Sequence, residues 1–303
     1  MNPEIFYQLC KVVGSDNVYT DEPLKRHTTF RIGGIADYYV LPHSKTEIIE
    51  TIQVCERQNI PYYILGNGSN LLVSDKGYRG VIIQIYKNFS DIKIEETKVM
   101  VQAGASLKMV AKAALEAGLG GFEFAAGIPG TMGGAVVMNA GAYGGEMKDI
   151  VTSVVVLTKE SEVLTLEQDK LDFGYRTSVI EKNGYIVLRV VLQLQKKNPE
   201  EIRSYMEKLK EQRISKQPLD KPSAGSTFKR PKGYFAGQLI MEAGLRGFSI
   251  GDAEVSKKHC GFVINKGEAK AADVDMLIKE VSRRVEENTG VRLEPEVKRL
   301  GEF

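Results

Sequence analysis

Tryptophan is absent from the 303-residue chain, and only three cysteines and three histidines occur in it. Cys10, Cys55 and Cys260 have no metal-ligand spacing and are odd in number, which reads as free thiols in a reducing cytosol. The histidines share no metal-ligand spacing with one another or with a cysteine, so no metal is expected. Long apolar runs are also missing. None approaches the roughly 20 residues that span a bilayer, and "MNPEIFYQLCKVVG" has neither the apolar core nor the cleavage site of a leader. A soluble intracellular protein with no membrane partner is the expectation. An excess of one charge is lacking too: 41 Lys and Arg against 39 Asp and Glu leave +2, too little for a nucleic-acid binder driven by bulk electrostatics. What remains is 43% hydrophobic and 26% charged, ordinary for a globular enzyme, with a length that suits two or three units.

A helical N-terminal stretch precedes "SKTEIIETIQVCERQN", where Ser44 and Glu47 stand at capping-box spacing and Ile48, Ile52 and Cys55 form a helical stripe. "PYYIL", "GVIIQIY", "DIKIEE" and "KVMVQAG" read as strands. Leu107, Val110, Ala111, Ala114 and Leu115 mark a helix that Gly118 ends. "IVTSVVVLT", "EVLTL" and "YIVLRVVLQLQ" suggest a small sheet, and the polar break "KKNPEE" opens a third unit. That unit reads as a helix marked by Ile202, Met206 and Leu209, a proline-rich loop, a helical "GYFAGQLIMEAGLRG", a strand "GFVIN" and an amphipathic helix "ADVDMLIKEVSRRVEENTG". Pro295 in "VRLEPEVKRLG" implies an edge strand or its margin. The expected division is 1–88, 89–198 and 199–303, in a mixed α+β order.

Glycine is what the chain has in plenty. Seven of the 30 glycines fall in "GIPGTMGGAVVMNAGAYGGE" (127–146), where the only charge is Glu146. A second glycine turn, "GNGSNLLV", begins at Gly66. It is no Rossmann fingerprint, because Leu71 stands where the third glycine belongs and a poor helix former follows. Exposed amides in such turns still make anion-binding nests. Two of them in separate subdomains suit a ligand with a diphosphate and a large planar ring; tight packing between glycine-rich segments is the competing reading.

Other chemistry-bearing residues are sparse. Arg176 in "FGYRTS" is either a surface cation or a planar fork for a carboxylate. Ser226 in "AGSTFKRP" follows Gly225 in a constrained loop, and no Gly-x-Ser-x-Gly pattern surrounds it, so a hydrolytic triad is poorly supported and a turn serine is the simple reading. Glu294 and Glu296 flank Pro295 and read as surface acids unless a site draws them in.

In order along the chain stand "TTFRIGG", "GNGSNLLV", "GIPGTMGGAVVMNAGAYGGE", "FGYRTS", "AGSTFKRP", "AGQLIMEAGLRG" and "LEPEV". Together they resemble the bacterial UDP-N-acetylenolpyruvoylglucosamine reductase (MurB) family from about residue 24 to residue 300. The resemblance implies an α+β chain: a two-subdomain FAD-binding fold of the vanillyl-alcohol-oxidase (PCMH) type plus a C-terminal α+β substrate-binding domain. It also implies reduction of the enolpyruvyl ether of UDP-N-acetylglucosamine to UDP-N-acetylmuramic acid, with non-covalent FAD and with NADPH as hydride donor.

Carried over residue by residue, Arg176, Ser226 and Glu296 become the catalytic candidates. Arg176 would face developing negative charge, Glu296 would share a proton with it, and Ser226 would protonate the enolate carbon. Gly66, Asn67, Gly68, Ser69 and Asn70, with Gly127, Pro129, Gly130, Thr131, Gly133, Gly134, Asn139, Gly141 and Ala142, become the cofactor-binding candidates. Tyr175, Lys216, Lys229, Arg230 and Gln238 become substrate contacts. Only 49 residues (177–225) separate Arg176 from Ser226, too few for the tyrosine-bearing insertion of the family's longer branch. Two other readings stay open: a flavin oxidase on the same scaffold, and a non-catalytic nucleotide-sugar-binding module.

Overall fold

The computed structural model describes residues 2–303. Helices α1 (Pro3–Val13) and α2 (Lys45–Arg57) pack on each other beside a four-stranded sheet. Its strands run in the order Val18–Pro23, Ile35–Val40, Tyr78–Gln84 and Tyr62–Leu65. The first pair is antiparallel and the other pairings are parallel. The first two strands carry no clear sequence signal: "VYTDEP" and "IADYYV" are short and only partly alternating. Ser44 caps α2 by accepting from Glu47 N at 3.1 Å, but the Glu47 carboxylate reaches back to His43 N at 2.7 Å, one residue earlier than in a capping box.

The second unit is a five-stranded antiparallel sheet, ordered Val163–Glu167, Val151–Leu157, Ile186–Gln193, Lys98–Gln102 and Ile92–Glu95. Helices α3 (Leu107–Glu116), α4 (Met132–Val137) and α5 (Val179–Asn183) belong to it. Its apolar face and that of the first unit close on one continuous core containing Leu9, Ile52, Val81, Leu107, Met132, Val154 and Leu192.

Helix α6 (Pro199–Lys216) opens the stretch assigned to the third unit, yet it lies against α3 and the turn Glu123–Ala125, and Met206 joins the shared core. The remainder is a small sheet of Ser249–Ile250, Ala253–Val255 and Val263–Asn265 with helices α7 (Ala236–Glu242) and α8 (Ala271–Thr289). Phe30, Ile32 and Leu72 from the first unit are part of this core. The chain end returns to the first unit, where Lys298–Leu300 pairs in parallel with Leu71–Val73. Asp75 caps α8 from outside, accepting from Ala271 N at 2.8 Å and Ala272 N at 3.1 Å. The segment read as one helix, "GYFAGQLIMEAGLRG", is helical only over α7; Gly244 and Gly247 sit at φ +73° and +74° and end it.

Candidate active site

One strand-like pairing brings the Ser226 loop and Glu296 together. Lys229 N donates to Glu294 O at 2.8 Å and Glu296 N donates to Thr227 O at 2.8 Å, which sets Phe228 opposite Pro295. Pro295 therefore occupies the non-hydrogen-bonded place of an antiparallel pair, where its missing N–H costs nothing. Thr227 is tied on its other side, its N–H to Gly261 O at 2.8 Å and its Oγ1 accepting from Val263 N at 2.9 Å. Ser226 thus projects from a loop held on both flanks, beside Glu296.

Arg176 arrives from the second unit. Gly174 and Thr177 exchange backbone hydrogen bonds at 3.0 and 3.4 Å, leaving Tyr175 and Arg176 as a two-residue turn with Arg176 at φ +53°. A non-glycine residue in that left-handed region is strained, and such strain is concentrated at functional sites. Arg176 Nε lies 2.9 Å from Glu296 Oε1. The Nε–H is not aimed at that oxygen, so the two side chains lie in close contact while Nε keeps no hydrogen-bond acceptor among the described residues. Nη2 donates to Gly141 O at 3.4 Å.

Glu296 is only 8% exposed. Burial pushes its carboxyl above the usual carboxylate range, against the opposing pull of Arg176 and, behind it, Lys229 and Lys298.

All three side chains line a cavity of about 530 Å³. Arg230, Arg246 and Lys258 add positive charge to its wall, and Glu296 is the one carboxyl group among the described residues that line it. Arg230 also stacks over Phe235, 4.0 Å from the ring centroid. Tyr175 crosses between units, its hydroxyl accepting from Arg230 N at 3.0 Å. Gln238 lines the cavity and donates to Glu242 Oε1 at 2.8 Å, whereas Lys216 and Lys229 are not among the lining residues. Lys229 is instead paired with Glu294.

Sequence reasoning missed Arg246, Lys258 and His259. They are scattered over α7's exit and the loop before Val263–Asn265, and only folding collects them. Burial holds the His259 imidazole below its ordinary value, and its Nδ1 accepts from Gly261 N at 3.1 Å, which places the neutral ring's proton on Nε2.

The two glycine segments touch. Asn67 Nδ2 donates to Pro129 O at 2.8 Å, and a Cβ on Gly66 would meet Thr131 Oγ1 at 2.6 Å. Thr131 caps α4 by accepting from Gly134 N at 3.4 Å. The glycines of 127–146 do not share one cause; a Cβ at Gly127 would stand 3.1 Å from Arg213 Cδ. A Cβ at Gly133 would stand 3.0 Å from Ala103 Cβ, at Gly141 2.7 Å from Glu146 Cγ, and at Gly145 2.7 Å from the Phe124 ring. Those three are demanded by protein packing. Gly130 meets nothing closer than 3.7 Å and Gly134 only Thr131 Oγ1 at 3.5 Å, whereas Gly144, with nothing within 4 Å, is required by its backbone at φ +88°. Packing therefore accounts for part of the segment and leaves Gly130 and Gly134 unexplained by protein neighbours.

The N–H groups of Gly66, Asn67, Gly68, Ser69 and Asn70 donate to no group among the described residues. A cavity of about 350 Å³ lies alongside, lined by Arg26, Thr28, Asn67, Gln84 and Lys87 among others. Free amides next to cations suit a diphosphate, and the open glycines suit a flat ring, so the residues fit FAD. Two candidates from this set behave differently. The Asn139 amide is spent within the protein, and Asn70 Nδ2 donates to Glu296 O at 3.2 Å, steadying the acid strand.

The description "UDP-N-acetylenolpyruvoylglucosamine reductase, C-terminal domain" matches residues 217–300, and "FAD binding domain" matches residues 36–167. The chain is 55% identical over 295 residues to the UDP-N-acetylenolpyruvoylglucosamine reductase of Agathobacter rectalis, covering 93% of this chain and 94% of that protein. With the Clostridioides difficile enzyme of the same name the identity is 50% over 301 residues, 99% of each chain. The crystal structure of the reductase (MurB) from Thermus caldophilus superposes with a TM-score of 0.79 at 38% identity, over 92% of this chain and 98% of that one. Wild-type Phl p 4.0202, a glucose dehydrogenase, shares the fold alone: TM-score 0.51, 14% identity, 65% of this chain and 44% of that one. The chain belongs to the UDP-N-acetylenolpyruvoylglucosamine reductase family.

Proposed function

We infer that this protein reduces the enolpyruvyl ether of UDP-N-acetylglucosamine to UDP-N-acetylmuramic acid, using FAD and NADPH. The observation that carries the chemistry is the convergence of Arg176, Ser226 and a proton-favouring Glu296 on one cation-lined cavity. FAD, when bound, supplies two-electron chemistry: it carries hydride equivalents from the nicotinamide to a carbon acceptor. The Gly66–Asn70 amides and the open face at Gly130 and Gly134 are the groups proposed to hold it.

Hydride addition at the substrate's terminal vinyl carbon drives an electron pair toward the carboxylate, leaving a dianionic enolate. Arg176 is fixed where its charge offsets that build-up. Glu296, whose burial favours the protonated form, donates to an enolate oxygen. The Ser226 hydroxyl gives its proton to the enolate carbon and recovers one from solvent, completing the lactyl ether. A serine is a weak acid, but a carbanion-like centre is basic enough to take its proton when the loop holds the hydroxyl close.

Arg230, Arg246 and Lys258 oppose the charges of a UDP-sugar, and Tyr175 and Gln238 stand on the same wall. No helix of the described residues is long and apolar enough to cross a membrane, and NADPH and UDP-sugars are cytoplasmic metabolites. A cytoplasmic role in peptidoglycan precursor synthesis, and through it in cell shape and division, is therefore part of the proposal.

The direct test is turnover of the enolpyruvyl UDP-sugar with NADPH in deuterated water. The expected product is UDP-N-acetylmuramic acid with deuterium at the carbon that bears the carboxylate. NADPH consumption without that product would overturn the assignment.

A further inference from the structure

We propose that Asn139 is a positioning residue for Arg176: its buried amide ties the Arg176 turn to the glycine-rich segment and sets where the guanidinium stands. The proposal rests on Arg176 acting in the reaction above.

Asn139 is 1% exposed and sits at φ +44°. Both protons and the oxygen of its amide are engaged. Nδ2 donates to Glu146 Oε2 at 2.8 Å and to Gly174 O at 3.0 Å. Oδ1 accepts from Lys148 N at 2.9 Å. Gly174 is the first residue of the turn whose third is Arg176, so one amide links segment 139–148 to the hinge of the catalytic arginine. A second tether lies on the far side of the turn, where Ser178 Oγ donates to Val137 O at 2.6 Å. The guanidinium itself rests on Gly141 O, in the same segment.

These three tethers of the Arg176 turn all run to residues 137–148. The Asn139 side chain is turned away from solvent and its amide is bonded on every side, so it is not free to contact a cofactor. Holding the turn is the task its geometry leaves to it. An arginine on a strained two-residue turn has little intrinsic rigidity, and displacement by about 1 Å costs on the order of 100-fold in rate.

The test is a double-mutant cycle on the FAD-loaded enzyme. Asn139→Gly removes the amide and tolerates φ +44° without strain, so folding is preserved better than with alanine. It should lower kcat/KM by about 10- to 100-fold, mostly in kcat, with FAD affinity changed less than about twofold. In an Arg176→Ala background the same change should have almost no further effect. Ser178→Ala gives an independent arm with the same expected pattern. Full additivity of both changes with Arg176→Ala would overturn the proposal, as would a loss of FAD affinity that accounts for the whole defect. If Arg176→Ala alone leaves turnover intact, the functional reading fails instead, and the two failures are thereby told apart.

Discussion

Glu296→Gln isolates one proton. Glutamine matches the shape, and the backbone bonds of Glu296 to Thr227 and Asn70 do not involve the side chain, so the strand stays where it is. What changes is that the acid O–H, favoured by burial, is replaced by a weaker amide donor. A hydrogen bond to a charged partner is worth about 1.5–3 kcal/mol. At about 1.4 kcal/mol per decade this amounts to roughly a 10- to 150-fold fall in kcat, with KM little changed because the contact strengthens only as charge develops. Steady-state kinetics as a function of pH reads both parts. In the wild type, activity should fall as pH rises through the raised Glu296 value, because the proton donor is lost; in the glutamine variant that limb should disappear. An increase in KM with unchanged kcat would refute the reasoning and make Glu296 a binding residue.

Stability should follow the same group. A carboxyl whose native value is raised stabilises the fold below its unfolded value of about 4.3, and that contribution is lost as pH rises through the native value. The Tm of Glu296→Gln should therefore exceed that of the wild type at neutral pH and approach it in acid, by calorimetry; parallel curves would contradict it. Ser226→Ala should still allow NADPH to bleach the flavin anaerobically, while recovery on adding the enolpyruvyl substrate slows by about 10²- to 10⁴-fold, and normal recovery would remove Ser226 from the mechanism. Gly66→Ala, whose Cβ would meet Thr131 Oγ1 at 2.6 Å, should destabilise the protein without cofactor by about 1–3 kcal/mol in thermal denaturation. Gly130→Ala, with no neighbour closer than 3.7 Å, should leave that stability unchanged and weaken FAD in a fluorescence titration; equal effects from the two changes would undo the division of glycines into packing and cofactor groups.

Periodic, locally determined features were legible in the sequence. The stripe Ile48, Ile52, Cys55 is buried on α2, and Leu107, Val110, Ala111 and Ala114 are buried on α3, because helix period alone fixes a face. Strands Val18–Pro23 and Ile35–Val40 escaped, since pairing across the gap between them, and not local pattern, makes them strands. The site was legible only through ordered motifs. Nothing local marks Glu296 as more than a surface acid; its burial comes from pairing with the Ser226 loop. Arg246, Lys258 and His259 left no pattern, because separate turns of the C-terminal unit bring them to one wall. The glycines misled in part: Gly133, Gly141 and Gly145 answer to Ala103, Glu146 and Phe124, partners that spacing cannot reveal.

The central claim is that one protein accepts hydride equivalents from NADPH and delivers them to the enolpyruvyl UDP-sugar at the Arg176–Ser226–Glu296 site. An anaerobic visible-absorption titration of the FAD-loaded protein, first with NADPH and then with the sugar, tests it most directly. Flavin bands that bleach with NADPH and return on adding the sugar are the predicted result. Bands that return only on admitting air would contradict it and identify an oxidase on the same scaffold.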